Sequence, residues 1–521
     1  MPFLAFVALL SLLQLGCVAA TPVARGHHGP FVNQTVCNGK EYVYEELAGW
    51  GLLPSDARDK FGETIGGIGS SIALDKTSWK RKKGSTEAYE GIIYGLPDRG
   101  WSSNGTQNTQ NRIHKFRFTL DIVSGASKAN PAPPNFKIAY LDTILLFTGR
   151  STPTTGLDAD ARGSFYFSGF AGLPVATYPG DGFGGPGPGG KRMSLDAESL
   201  VLGRDGSFWI GDEYGPNIYQ FNKRGKLVHV IYPPDAFVPF RNGTQSFNSL
   251  APPVYDQYRM TIPEIPEMGR VNNQGFEAIT ASPNGKFLYA MLQSATVQDS
   301  GDGSPASRRN TRLLKYDLRK VGKGRDGLVG EYVVQLPLIG DQLAAQSEIH
   351  FISEDQFLVL SRDSDRGKGQ EETESKYRNV DVFDISRATN VKGKRTDSKG
   401  GQVAPGGELK AGIKPAKYCP WLSYNNNDQL NRFGLHNGGP QDSGLLNEKW
   451  ESLALGPIDK KFAKHGSGKE YYLISVSDND FVTQNGFLNR GKKPYADMSG
   501  FRVDTQVLVF KVRLPEDANP L

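Results

Sequence analysis

The sequence predicts an all-β protein, a β-propeller of about six blades (five to seven) with long decorating loops. Gly (62) and Pro (32) are abundant among the 521 residues, and short β-rich runs outnumber amphipathic helical patterns. A unit of one glutamate, an alternating apolar strand, a polar turn and a second strand recurs along the chain. A third strand follows most of these units, as a four-stranded blade requires.

The copies of this unit stand in chain order as DAESLVLGRDGSFWIGDE at 196–213, GFEAITASPNGKFLYAMLQ at 275–293, SEIHFISEDQFLVLSRD at 347–363, and WESLALGPID with KEYYLISVSDND at 450–480. An earlier copy begins with GSSIALD and has Ser70 where the others have glutamate. The length between Asp75 and Glu198 allows one more blade, which would include residues 136–147. The final VLVFKVRL or the N-terminal EYVYEEL would close the ring and remove sheet edges. A large sandwich or two β domains is the alternative.

The chain begins with MPFLAFVALLSLLQLGCVAA, an apolar stretch of signal-peptide length with Val18 and Ala20 as the small residues of a cleavage site. We therefore assign residues 1–20 to a signal peptide, 21–60 to an N-terminal arm and 61–515 to the propeller domain. A secreted protein is expected, and an uncleaved anchor is the alternative. No later run reaches the ~20 apolar residues of a membrane span.

Other sequence features agree with export. N-glycosylation sequons begin at Asn33, Asn104 and Asn242. Beyond the leader the chain has two cysteines, Cys37 and Cys419, which either pair in an oxidising compartment or stay as free thiols. The net charge of +5 is small, and the basic runs lack interleaved aromatic residues, so we expect no nucleic-acid partner. A monomer is expected.

Equivalent positions of the blades meet around the axis of a propeller, so the repeated glutamates should form a ring at one channel mouth. These glutamates are Glu198, Glu277, Glu348 and Glu451. The ends of the second strands supply Asp98, Arg99, Asp212, Glu213, Arg362, Asp363, Asp478 and Asp480. Whether these ends meet the same mouth depends on strand direction, which the sequence does not determine. Unpaired acids in one place repel each other, and Ca²⁺ would compensate because it accepts several carboxylate oxygens. The alternative is that each glutamate pins neighbouring blades by hydrogen bonds.

Several motifs taken together resemble the phytase-like family, also described as having esterase-like activity of phytase. In order they are DAESL, WIGDEYGPNIYQF, QGFEAIT, YAMLQS, SEIHFI, FLVLSRD, WESLAL and SDNDF. The resemblance covers roughly residues 65–510 and implies a secreted propeller among phosphoester or ester hydrolases. The positions that match the family are Asp98, Arg99, Arg192, Glu198, Asp212, Glu213, Glu277, Glu348, Arg362, Asp363, Glu451, Asp478 and Asp480.

The resemblance also implies roles for these residues. Catalysis is assigned to Asp98, Arg99, Glu198, Asp212, Arg362 and Asp363. Substrate binding is assigned to Arg192, Glu213, Tyr214 and Gln293. Binding of Ca²⁺ is assigned to Glu198, Glu277, Glu348, Glu451, Asp478 and Asp480. A metal-bound water would attack the phosphate of a small-molecule substrate, with arginines stabilising the added charge.

Two other functions stay open at this point. One is a Ca²⁺-dependent lactone or carboxylic ester hydrolase. The other is a non-catalytic secreted propeller that binds a glycan or a protein. Of the two adjacent acids after one strand, we expect Asp212 to face the rim of the channel and Glu213 to anchor the turn.

Overall fold

The computed structural model describes residues 31–521 except 86, 150, 302, 323–326 and 460–468. The predicted signal peptide at 1–20 and the first part of the predicted N-terminal arm lie outside the described residues. None of the described helices has the length and apolar character needed to cross a bilayer.

Within the described residues the long strands form five antiparallel blades, numbered here along the chain. From the axis outward, blade 1 consists of Ser71–Arg81, Ala88–Leu96, Arg112–Asp121 and Phe136–Leu145. Blade 2 consists of Ala197–Leu202, Phe208–Asp212, Ile218–Phe221 and Leu227–Ile231. Blade 3 consists of Phe276–Ala281, Phe287–Leu292, Asn310–Asp317 and Leu328–Gln335. Blade 4 consists of Ala345–Phe351, Gln356–Arg362, Arg378–Asp384 and Lys417–Ser423. Blade 5 consists of Ala454–Pro457, Lys469–Val476, Thr505–Leu514, Lys40–Leu53 and Asn33–Cys37.

The predicted all-β propeller is confirmed, with a blade number at the lower end of the expected range. The innermost strands of blades 1 to 4 contact one another in chain order, and that of blade 5 contacts blade 1. The extra blade predicted between Asp75 and Glu198 is wrong. Its proposed strand, Phe136–Leu145, pairs with Arg112–Asp121 as the outermost strand of blade 1. Its side chains alternate between partly buried and exposed, as an edge strand allows.

Short elements decorate the loops between these strands. The paired hairpin strands are Phe165–Phe167 with Phe170–Leu173, Val175–Tyr178 with Gly190–Met193, Phe240–Arg241 with Thr244–Gln245, Leu338–Ile339 with Gln342–Leu343, and Gly486–Leu488 with Lys493–Tyr495. The described α-helices are Lys394–Asp397 and Asn427–Leu430. The described 3₁₀ turns are Asp235–Phe237, Val297–Asp299, Ala306–Arg309, Pro405–Gly407 and Asn431–Phe433.

The ring is closed by strands from both ends of the chain. In blade 5 the N-terminal strand Lys40–Leu53 pairs with the last strand, Thr505–Leu514, so both predicted closing segments take part. Cys37 and Cys419 form a disulfide, with their Cα atoms 5.9 Å apart. Because these cysteines lie on the outermost strands of blades 5 and 4, the bond joins two neighbouring blades across their outer edges.

The hydrophobic core lies between neighbouring blades rather than at the axis. Each of the five blade interfaces has its own cluster of buried apolar side chains. Between blades 5 and 1, for example, Tyr89 of blade 1 packs edge-on against Tyr472 of blade 5, with ring centroids 5.5 Å apart. Aromatic pairs of this kind add to the stability that apolar burial provides. The packed interfaces hold the innermost strands at fixed positions around the channel.

Candidate active site

The charged residues at the predicted strand ends meet at one end of the channel. Each innermost strand starts where the second strand of its blade ends, because the two strands are antiparallel neighbours. In blade 2, Ala197 at the start of the first strand pairs with Asp212 at the end of the second. In blade 4, Ala345 pairs with Arg362 in the same way. The repeated glutamates and the strand ends therefore share one opening.

The positions of three repeated glutamates, Glu198, Glu277 and Glu348, depend on a β-bulge in their strands. In blade 2 the strand pairs on both sides of Glu198 but skips that residue, and Glu277 is skipped in the same way in blade 3. In blade 4 the skipped residue is Ser347, and Glu348 follows one position later, paired with Leu360. The predicted ring of four equivalent glutamates is therefore wrong in blade 4. A one-residue change of register sends a side chain in a different direction.

We call the resulting cluster of charged side chains the acidic mouth. Its carboxyl groups belong to Asp98, Asp196, Glu198, Glu213, Glu277, Glu451, Asp478 and Asp480, and its basic groups to Arg99, Arg362 and Lys449. All the carboxyl groups are buried except that of Asp480, which is partly exposed. The acids outnumber the bases, so the cluster has a net negative charge when all its groups are ionised.

Asp98 occupies the centre of the acidic mouth. Its carboxylate forms one group with Asp196 and Glu198 and another with Asp478 and Asp480, and in each group the ligand oxygens lie within 4.8 Å of one another. Asp196 was not selected from the sequence. It stands two residues before the repeated Glu198 in the same motif, and this position was the available indication of its role.

Three bases partly neutralise these acids. The Arg99 guanidinium donates to Asp196 at 3.0 Å, and Arg362 Nη2 donates to Glu451 Oε1 at 2.6 Å. Lys449 Nζ donates to Asp480 Oδ1 at 2.9 Å and lies 3.9 Å from Asp478 Oδ2.

Lys449 was also not selected from the sequence, although it stands two residues before Glu451. Its ammonium group belongs to the Asp478 side of the acidic mouth, where it lies close to both strand-end acids. It supplies positive charge on that side of the acidic mouth.

The adjacent acids Asp212 and Glu213 have the opposite roles to those expected. Asp212 accepts hydrogen bonds from the backbone amides of Asp196, Tyr214 and Gly215 and from the Tyr219 hydroxyl, at distances of 2.9 to 3.1 Å. It therefore anchors the turn and is fully buried. Glu213 belongs to the acidic mouth, and its buried Oε1 has no hydrogen-bond partner among the described residues.

Burial and mutual repulsion shift the protonation of the acidic mouth. Burial, with repulsion from Asp196, raises the pKa of Glu213 to about 8. Burial raises the pKa of Asp478 to about 6, although the Lys449 ammonium opposes the shift. Burial and neighbouring carboxylates hold the pKa of Asp98 and of Glu198 well above the usual range. Several of these acids therefore gain or lose protons near neutral pH.

Other predicted site residues lie away from the acidic mouth. Arg192 stacks on the ring of Tyr178, at 5.3 Å from its centroid, and lines a separate cavity. Glu348 accepts from the Ser71 hydroxyl at 2.9 Å and is not part of either carboxylate group. Asp363 accepts from the Ser375 hydroxyl and anchors the loop that follows its strand.

Tyr214 and Gln293 both follow the end of a second strand. Tyr214 is fully buried, and its hydroxyl donates to the Gly156 carbonyl at 3.1 Å, so it does not present an open platform. Gln293 is partly exposed at the corresponding position of blade 3. Of the sequon asparagines, Asn33 and Asn242 are exposed and Asn104 is partly buried. Glycosylation at these sites stays a prediction.

The stability of the protein should fall as the pH rises from about 6.5 to about 8 in the absence of metal. The folded-state pKa values of Asp212, about 7, and Glu213, about 8, lie above those of unfolded chains. The folded state therefore holds extra protons in this window, and it loses that stabilisation as they dissociate. The buried His114 and His350 have lowered pKa values and act only at lower pH.

The measurement is the urea midpoint of unfolding in EDTA at about pH 6.5 and at about pH 8, for the wild type and for Glu213→Gln. The urea midpoint of the variant should fall less than that of the wild type. Added Ca²⁺ should raise the wild-type midpoint more at the higher pH, because Ca²⁺ binds ionised carboxylates. A wild-type midpoint that rises across this window would contradict the expectation.

Fold and site together define a five-bladed β-propeller with a partly neutralised carboxylate cluster at one channel mouth. A family model named Phytase-like, described as esterase-like activity of phytase, matches residues 88–481. The chain belongs to this phytase-like family.

A relative from Arthroderma benhamiae, named an uncharacterized secreted protein, is 48% identical over 480 residues, which cover 89% of this chain and 92% of that protein. It confirms the secreted location that the leader predicts. Among solved structures, a PQQ-bound aldose sugar dehydrogenase from Streptomyces coelicolor is 11% identical, with a TM-score of 0.25 over 94% of this chain and 96% of that chain. Sqt1 from Saccharomyces cerevisiae is 9% identical, with a TM-score of 0.25 over 87% of this chain and 100% of that chain. At such scores these structures carry no inference about function.

Proposed function

We propose that this protein is a secreted hydrolase that cleaves a small-molecule phosphate ester or carboxylic ester at the acidic mouth with the help of bound Ca²⁺. The observation that carries the proposal is the position of Asp98, whose carboxylate belongs to two groups of three acids. Arg99 follows it and lines a neighbouring cavity of about 570 Å³, a volume suited to a small molecule. Membership of the phytase-like family supports ester chemistry.

The side chains of the acidic mouth suit a hard cation. Both candidate groups consist of carboxylates alone, and carboxylate oxygens are ligands that Ca²⁺ prefers. The orphan Glu213 Oε1 is a further buried acceptor. A bound Ca²⁺ would supply positive charge for a phosphate or carbonyl oxygen and would make a nearby water more acidic.

Of the two carboxylate groups, we favour the one formed by Asp98, Asp196 and Glu198 as the holder of the cation. The group that contains Asp478 is already neutralised in part by the ammonium of Lys449. The basic partner of the favoured group is Arg99, which forms its ion pair with Asp196. Its charge also lowers the pKa of Asp98, but burial and neighbouring carboxylates still hold that pKa well above its usual range.

Arg99 and Glu213 have the properties needed to act on the substrate. The Arg99 guanidinium is held by Asp196 at 3.0 Å and Asn273 at 2.5 Å. It would bind the anionic part of a substrate and stabilise the charge that develops during attack. The pKa of Glu213, about 8, suits a group that accepts a proton from the attacking water and returns it to the leaving group.

The test is a hydrolysis assay of the purified full-length protein with phytate, para-nitrophenyl phosphate, para-nitrophenyl acetate and an aliphatic lactone. Each substrate is assayed with Ca²⁺, with EDTA, and after Ca²⁺ is restored. We expect turnover of at least one substrate that EDTA abolishes and Ca²⁺ restores. Turnover that is indifferent to EDTA would overturn the role of the metal. Absence of turnover on every substrate by folded protein would overturn the hydrolase and favour a binding propeller.

A further inference from the structure

The other end of the channel contains a second cavity that the proposed hydrolysis does not use. It has a volume of about 510 Å³, within the usual range for small-molecule sites. It is lined by the later parts of the innermost strands, whose first residues form the acidic mouth. Its walls are mainly apolar and include Ala73, Leu200, Ile279, Ile349 and Leu453. We call it the lower cavity.

Two carboxyl side chains line the lower cavity, those of Asp75 and Glu348. Asp75 is only partly buried, whereas Glu348 is buried, with 4% of its surface exposed. Its oxygens accept from the Ser71 hydroxyl and from the backbone amide of Ile349, both at 2.9 Å. Among the residues that the structure describes, no lysine, arginine or histidine forms an ion pair with it.

Burial of the ionised Glu348 carboxylate in this apolar cavity costs free energy, because a buried charge is unfavourable unless it is paired. The one-residue shift in blade 4 is what places Glu348 here instead of in the acidic mouth. The hydroxyl of Ser71 is already committed, since it donates to Glu348 and accepts from the amide of Leu200 at 3.0 Å. Burial raises the pKa of the Glu348 carboxyl well above its usual range, so a cationic ligand beside it would stabilise the ionised form.

We propose that the lower cavity binds an apolar primary amine, with the ammonium group paired to Glu348 and the hydrocarbon part against the apolar walls. The two halves of the site match the two halves of such a ligand. The ammonium group supplies positive charge beside the Glu348 carboxyl and up to three hydrogen-bond donors. The hydrocarbon chain leaves water and packs against the apolar walls of the cavity.

Ligands of other charge fit the lower cavity less well. A carboxylate or phosphate head at the same place would repel Glu348, and a neutral alcohol would leave it unpaired. Two cationic side chains also line the cavity, and both are bonded to backbone carbonyls: Lys76 donates to Pro520 and Arg204 donates to Pro283. His350 lies near Leu521. The amine site does not depend on the hydrolase proposal, because Glu348 belongs to neither carboxylate group of the acidic mouth.

The test is isothermal titration calorimetry of the full-length protein with hexylamine, hexan-1-ol and hexanoate, three ligands with the same chain and different heads. We expect hexylamine to bind at least about tenfold more tightly than the alcohol, which corresponds to about 1.4 kcal/mol. Glu348→Gln should remove that preference. The matched control is Glu331→Gln. Glu331 is a buried glutamate of blade 3 that is bonded to Arg312 away from the channel. This variant should keep the preference for the amine over the alcohol.

A second variant guards against misfolding of the first. Ala73→Phe fills the lower cavity from its wall without touching the carboxyl group, and it should weaken all binding of hexylamine. Equal affinity for amine and alcohol, preference for hexanoate, or full amine binding by Glu348→Gln or Ala73→Phe would each overturn the proposal. Saturating Ca²⁺ should leave amine binding unchanged, and competition between the two would also overturn it, because it would place the amine in the acidic mouth.

Discussion

Replacing Asp98 by asparagine should lower Ca²⁺-dependent hydrolysis at least about 100-fold, because changes at a metal site commonly cost this much. Asp98 is shared by both carboxylate groups, so its loss removes a negative ligand from either candidate position of the cation. The fold should persist, since burial holds the pKa of this carboxyl well above its usual range and a neutral amide relieves the repulsion. The measurements are kcat/KM on the best substrate and the urea midpoint in EDTA.

The matched control is Asp142→Asn, an exposed acid on the outermost strand of blade 1 that pairs with Lys60 at 2.6 Å. This variant should retain wild-type hydrolysis and wild-type Ca²⁺ dependence. Equal activity of the two variants would rule out a role for Asp98 in turnover. Loss of the folded state by Asp98→Asn would instead indicate that this carboxyl group holds the blades together.

Arg362→Gln should destabilise the protein by about 3–5 kcal/mol at neutral pH, because it leaves buried carboxylates without their partner. The guanidinium of Arg362 donates to Glu451 at 2.6 Å and lies 3.5 Å from Glu448. Its side chain is 9% exposed, so water does not replace it. The free energy of unfolding in urea measures the effect.

Adding Glu451→Gln to Arg362→Gln should recover part of this loss, since the double variant removes a buried charge together with its partner. Arg319→Gln is the control, because the Arg319 side chain is 60% exposed where it pairs with Asp317, and ion pairs of exposed side chains contribute little. If Arg362→Gln proved no more destabilising than this control, the ion pair would not stabilise the acidic mouth. Failure of the double variant to recover would assign the loss to packing.

Much of this architecture could be predicted from the sequence because a propeller repeats one unit. The Glu-strand-turn-strand pattern shows which residues lie at strand starts and strand ends. The antiparallel pairing in the structure then brings Asp98, Glu198 and Asp478 to one mouth. Closure of the ring by the last or the N-terminal strand followed from the need to cover sheet edges. The even number of cysteines in an exported chain favoured the pairing of Cys37 with Cys419.

The remaining features depend on details that a repeat pattern does not contain. An outer strand such as Phe136–Leu145 looks the same whether it ends one blade or begins another. In blade 4 the bulge leaves Ser347 unpaired, whereas the glutamate is the unpaired residue in blades 2 and 3. This shift of one residue moves Glu348 into a different environment. Asp196 and Lys449 stand just outside the repeated positions, so the pattern alone gives no reason to select them.

The roles of adjacent residues were also beyond the pattern. Asp212 and Glu213 have similar chemistry and adjacent positions, and they differ in the amides that surround them. The turn after the strand offers Asp212 its backbone donors, and these come from residues that fold around it in space. Only the path of the chain through that turn decides which acid is satisfied and which one is left facing the channel.

Blade 5 has a consequence for how the protein is made. The strand Lys40–Leu53 is synthesised long before its partner Thr505–Leu514. Until then the early strand has unpaired edges, which readily attach to other chains, so helper proteins of the secretory pathway would have to shield it. Removal of either segment should leave an open, aggregation-prone chain rather than a smaller ring.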